Sequence, residues 1–83
     1  MSRTFGKVRK GTKGTDVIVL QSLFRASCMI GADQKLIEID GESGNNTVYA
    51  INDFKKRMNA NGIDVGKVDG VFDEVCWKAI GVM

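Results

Sequence analysis

Histidine is absent from the 83 residues, which removes the commonest general base and the commonest metal ligand. Cysteine is scarce. Cys28 and Cys76 stand far apart, so no CxxC pair exists for redox chemistry or zinc. Each lies on an apolar-periodic stretch, where a free cysteine behaves as a small hydrophobe; the expectation is two packed core thiols rather than a Cys28–Cys76 disulfide. No apolar run is long enough to span a membrane, and residues 1–13 hold no hydrophobic segment of the signal-peptide kind. Export is therefore expected to depend on a further segment, a fusion or host-cell lysis. A dominant charge is lacking too: twelve Lys plus Arg face ten Asp plus Glu, a net charge of +2 that does not demand a nucleic-acid partner. The length predicts one domain, 1–83, which buries only ~60% of its unfolded surface and has a stability on the order of 5 kcal/mol. That leaves room for one layer of helix packing and little for a deep catalytic cleft.

What is present is a short motif used twice. Residues 39–51 read Ile-Asp-Gly-Glu-Ser-Gly-Asn-Asn-Thr-Val-Tyr-Ala-Ile, and residues 68–80 read Val-Asp-Gly-Val-Phe-Asp-Glu-Val-Cys-Trp-Lys-Ala-Ile. Each copy places an aliphatic residue before Asp-Gly and an Ala-Ile pair ten residues after the Asp. Asp bonds nearby backbone N–H groups and Gly accepts backbone angles that other residues resist, so Asp-Gly reads as a turn. An apolar-periodic run follows, and the unit reads as a turn that launches a helix.

Taken in order, residues 1–13 carry Arg3, Lys7, Arg9, Lys10 and Lys13 without an acid, together with Gly6 and Gly11, and read as a basic arm or loop. Thr15 or Asp16 offers an N-cap for a first helix over about 15–30, with Val17, Leu20, Phe24 and either Ser27 or Cys28 on one face, Leu23 beside it and Gly31 as the C-terminal cap. Leu36, Ile37 and Ile39 are expected to pair briefly as a strand or drape over the core. A second helix over about 45–59 has Asn45 or Asn46 as cap and Val48, Ile51, Phe54, Lys55 and Met58 on one face. Asn52, Asp53, Lys56 and Arg57 form its solvated side. A third helix over about 73–81 contributes Val75, Trp77, Ala79 and Ile80, with Trp77 the anchor of a small core. The fold class expected is all-α, a small three-helix bundle with two Asp-Gly loop–helix repeats.

Residues 8–21, Val-Arg-Lys-Gly-Thr-Lys-Gly-Thr-Asp-Val-Ile-Val-Leu-Gln, resemble the opening of the peptidoglycan-binding domains found beside bacterial and phage cell-wall hydrolases. The two Asp-Gly turns resemble that family's Asp-Gly-x-x-Gly-x-x-Thr loop with its following Ala-Val-x-x-Phe helix. Asp40, Gly41, Gly44, Thr47, Ala50, Ile51 and Phe54 match in the first copy, and Asp69, Gly70, Phe72, Trp77, Ala79 and Ile80 in the second. The resemblance covers nearly all of the chain after Lys7. Ser43, Asp73 and Cys76 depart from it, Cys28-Met29 stands for a Gly-aromatic pair, and insertions fall near residues 33–38 and 59–61.

The resemblance implies a non-catalytic module that binds cell-wall peptidoglycan, its glycan strand or stem peptide, and brings an attached hydrolase or phage component to the wall. An extracellular or wall-associated location follows from that reading. The polymer offers amides, hydroxyls and carboxylates, which suit a shallow surface rich in amide, hydroxyl and backbone donors. Candidate ligand-binding residues are Asp40, Asn45, Asn46 and Thr47 at a helix start, whose free N–H groups favour an anionic or carbonyl partner, extended by Tyr49 and Asn52. Each also has a structural role as turn former, cap or core neighbour. A second reading keeps the fold as a protein-interaction or assembly module, for instance in a phage particle. A third, nucleic-acid binding through the basic arm and Lys55, Lys56 and Arg57, is opposed by the small net charge and by Asp53, Asp64, Asp73 and Glu74. Asp40 and Asp69 are explained as turn formers, and the acidic residues near the second loop do not follow EF-hand spacing. No catalytic residue, metal or cofactor is assigned.

Overall fold

The structure, a computed structural model, describes residues 5–81; the expected contribution of Arg3 lies outside them. Three helices follow in order: α1 (Thr15–Ala26), α2 (Asn45–Ala60) and α3 (Glu74–Ile80). No strand occurs among the described residues, only three isolated antiparallel bridges. The fold is a small all-α three-helix arrangement, and no described helix is long and apolar enough to cross a membrane.

Helix α1 starts and stops differently from the expectation. Its N-cap is Gly14, without a side-chain cap, because Asp16 Oδ2 accepts instead from the Gly6 N–H at 2.8 Å. It ends at Ala26 rather than near residue 30. Cys28 turns left-handed at φ 57, the Cys28 N–H donates to Arg25 O at 3.0 Å, and the Met29 N–H donates to Phe24 O at 2.9 Å. This is a Schellman closure with cysteine in the position that glycine usually occupies. The turn directs Met29 onto the core and leaves Ser27 and Cys28 exposed, so Cys28 is not the packed thiol expected. Cys76 is buried, and both thiols are free. Gly31 serves another purpose, since a Cβ there would lie 2.5 Å from Asn46 Cβ.

Helix α2 matches its expected span closely but is capped by Gly44, not by Asn45 or Asn46. Ala50, Ile51, Phe54 and Lys55 are buried on its inner face, with Val48 and Met58 at the margins. Helix α3 is capped by Asp73, whose Oδ1 accepts from the Cys76 N–H at 3.3 Å. That register turns Cys76 and Trp77 inward and leaves Val75 49% exposed, contrary to its expected core role. Between α1 and α2 only Ile37 of the three aliphatics is buried, and the segment forms one Ile30–Leu36 bridge instead of a strand.

The N-terminal segment is folded into this core rather than standing off it. Val8 is fully buried and pairs with Phe72 in both directions, N to O, at 2.9 and 2.7 Å. Trp77 is the anchor expected: its Nε1 donates to Gly6 O at 3.0 Å, its ring stacks on Phe5 at 4.5 Å, and Phe72 meets it edge-on at 4.9 Å. An indole buries its large apolar surface only if its N–H finds an acceptor, and the arm supplies it.

Candidate functional site

Both Asp-Gly turns are held by a polar side chain projecting from the inner face of the preceding helix. At the first turn that side chain is Gln21 of α1, 1% exposed. Its Oε1 accepts from the Asp40 and Gly41 N–H groups at 3.0 and 2.9 Å. Its Nε2 lies within donating distance of Asp40 Oδ1 (3.0 Å), Glu42 O (2.9 Å) and Thr47 Oγ1 (3.1 Å). One amide thus ties α1, the turn and the first turn of α2 together.

At the second turn two residues divide the same work. Lys55 Nζ donates to Asp69 Oδ1 at 2.9 Å and to Val71 O at 2.8 Å, while Asn52 Oδ1 accepts from the Gly70 N–H at 2.7 Å. The glycines are required in both places. Gly41 and Gly70 sit at φ 77 and 75, and an added Cβ would press to 3.3 Å from Ile18 and 3.1 Å from Val48.

Each aspartate also closes its own turn, accepting from the Glu42 N–H at 3.0 Å and the Val71 N–H at 3.1 Å. The bonds from Glu42 N–H and then Gln21 hold the Asp40 carboxyl below the usual aspartate range. Lys55, then the Val71 N–H, do the same for Asp69.

Above the first turn lies a half-open pocket of about 160 Å³, lined by Gln21, Glu38, Asp40, Glu42, Gly44, Asn45, Asn46 and Thr47. Four of the six residues expected from the sequence therefore meet here. Asp40 lines it, bonded to Gln21. Asn45 is exposed and makes no side-chain hydrogen bond among the described residues. Asn46 is braced: its Nδ2 donates to Asp33 Oδ2 and its Oδ1 accepts from the Asp33 N–H, both at 3.3 Å. Thr47 is buried, its hydroxyl facing Gln21. Tyr49 is 42% exposed on α2 outside the pocket, one turn beyond Asn45. Asn52 lies elsewhere, committed to the second turn.

Sequence reasoning assigned no site role to Gln21, Glu38 or Glu42. The signal for Gln21 was present, since a polar residue beside Leu20 and four after Val17 falls on a buried stripe and needs partners. The pocket joins two kinds of group. The first turn of α2 carries no side-chain cap, so its N–H groups are available as donors, and Glu38, Asp40 and Glu42 supply acceptors. Of the anionic or carbonyl partner expected at this helix start, that mixture of donors and carboxylates is chemically suited to the carbonyl kind, a neutral group that carries N–H or hydroxyl donors as well. Among the described residues no group of three or more His, Cys, Asp or Glu side chains is placed to hold a metal ion. Compared with known proteins, the chain matches no family model, no curated protein and no solved structure.

Proposed function

We propose that this domain binds bacterial cell-wall peptidoglycan without catalysis and positions an associated hydrolase or phage component at the wall. The observation that carries the reading is the gathering of Asp40, Asn45, Asn46 and Thr47 around one polar pocket at the start of α2. Amides and sugar hydroxyls of the polymer are neutral groups that both donate and accept, and the pocket offers backbone donors beside carboxylate acceptors. Exposed Tyr49, one turn along from Asn45, adds an aromatic edge against which a sugar ring can pack. A pocket this small gives weak single-site binding, so tethering to a wall enzyme or repetition along the polymer raises effective concentration.

The test is co-sedimentation of the purified domain with insoluble sacculi. Retention that survives moderate salt, and that falls in an Asn45→Ala/Tyr49→Ala variant of unchanged helicity, is the expected outcome. Equal retention of variant and parent would place the contact elsewhere, and no retention at all would reject the reading.

A second reading, a protein-interaction or assembly module, is favoured by a separate observation. A groove of about 300 Å³ opens between the ends of α1, α2 and α3, lined by Ser27, Met29, Phe54, Arg57, Met58, Ala79 and Ile80. Failure on sacculi together with a stable partner recovered from the native source would move this reading to first place.

A further inference from the structure

Residues 7–13 hold four cations, Lys7, Arg9, Lys10 and Lys13, and no carboxylate. Backbone bonds pin this ribbon along its length: Val8 to Phe72, Gly11 N–H to Ser43 O at 2.8 Å, Ser43 N–H to Thr12 O at 2.8 Å, and Gly14 N–H to Gly41 O at 3.0 Å. At the isolated Val8–Phe72 bridge Val8 is buried while Lys7 and Arg9 on either side of it are exposed, about 6.7 Å apart where the backbone is extended. The Thr12 N–H donates to Arg9 O at 3.0 Å and closes a turn through Gly11 at φ 92, which puts exposed Lys10 at its tip. Lys13 is paired with Glu42 at 3.5 Å, whereas Lys7, Arg9 and Lys10 have no ion-pair partner among the described residues.

We infer that this ribbon is a contact surface for the phosphodiester polymer of the cell wall, a chain of the teichoic-acid type. The inference rests on the wall-binding reading for the identity of the polymer. Cations already fixed on an ordered backbone spare the ordering cost that a loose basic tail carries on binding. Their spacing along a narrow ribbon fits a single thread of phosphates. The ribbon borders the loop of residues 41–44, where Glu42 pairs with Lys13. Glu38 and Asp40 line the adjoining pocket with Glu42, so carboxylates repel phosphate at this end of the ribbon and leave Lys7, Arg9 and Lys10 to the thread. Broad duplex contact would bring phosphates against those same carboxylates. The polar pocket and the basic ribbon thus adjoin, as glycan and attached phosphate chain do in a wall.

The experiment measures binding to soluble poly(glycerol phosphate) across a salt series, beside retention on sacculi stripped of phosphate polymer. The expected parent affinity falls by on the order of two decades per decade of salt, the slope for three phosphate contacts on a single strand. A Lys7→Gln/Arg9→Gln/Lys10→Gln variant should lose about tenfold in low salt and bind stripped sacculi as the parent does. Equal affinity of variant and parent for the soluble polymer would overturn the inference, as would equal or tighter binding to duplex DNA at matched phosphate concentration. Stripped sacculi that retain neither protein would instead reject the wall-binding reading, leaving the soluble-polymer result to decide the ribbon.

Discussion

Lys55 Nζ stands 2.9 Å from Asp69 Oδ1, with the lysine side chain 2% exposed and the aspartate 51%. A cation on the apolar face of α2 is tolerated because the Asp69 carboxylate and the Val71 carbonyl accept hydrogen bonds from its ammonium. Because Asp69 is half-exposed, truncating Lys55 leaves no buried charge; what it removes is a long aliphatic stem from the core. Lys55→Ala should therefore lose about 2–3 kcal/mol in urea denaturation, a large part of the ~5 kcal/mol expected of a domain this small. Lys55→Met should lose less, since the half-exposed aspartate turns to water and the aliphatic stem still fills the space. A Met variant as damaged as the Ala variant would show that charge, rather than packing, dominates.

Gln21 should behave as the matching keystone of the first turn. Gln21→Leu keeps the volume but strands the buried Gly41 N–H and frees the Asp40 turn, for a loss of about 2–4 kcal/mol. The same variant should weaken sacculus retention through displacement of Asp40 and Thr47. A stability change under about 0.5 kcal/mol would mean that the turn holds itself without the helix.

Acid should destabilise the fold through both turns. Asp40 and Asp69 are held below the ordinary aspartate value of about 3.9 in the folded chain, so the unfolded chain binds protons first as pH falls. Their contribution is fully present above that value and is lost as pH drops through it toward the folded values. Unfolding midpoints should be flat near neutrality and decline below about pH 4.5. An Asp40→Asn/Asp69→Asn variant should show a shallower decline; an identical slope would assign the acid sensitivity to other carboxylates.

The two thiols should separate cleanly. Cys28 is exposed, while Cys76 is buried and burial pushes its thiol up, so a thiol reagent should modify one site in the native protein and two in denaturant. Cys28→Gly should raise stability by about 0.5–1 kcal/mol, because glycine accepts the left-handed conformation without the cost a Cβ brings. A destabilised glycine variant would show that the Cys28 side chain contributes contacts outweighing that strain.

Much of the fold could be read along the chain because it is local. The Asp-Gly repeats mark both helix-launching loops, the spacing of Val48, Ile51, Phe54, Lys55 and Met58 marks the inner face of α2 with its lysine included, and Trp77 is large enough to declare itself an anchor. The all-α class followed from those periodicities. The start of α2 was likewise legible as a cluster of Asp40, Asn45, Asn46 and Thr47.

The partners were not legible, because they are set by which distant segments fold against each other. Gln21 and Asp40 lie 19 residues apart, and Gly6 meets Trp77 across 71. Asn52 looked like part of a binding surface, yet the second turn folds onto it and takes its carbonyl oxygen. Periodicity also ran past Ala26, but a left-handed Cys28 closed α1 there, since capping the helix and seating Met29 in the core outweighed one strained residue. Side-chain spacing dictates which face of a helix is buried. The hydrogen-bonding capacity of a polar residue on that face is filled only by whatever the tertiary fold brings to it.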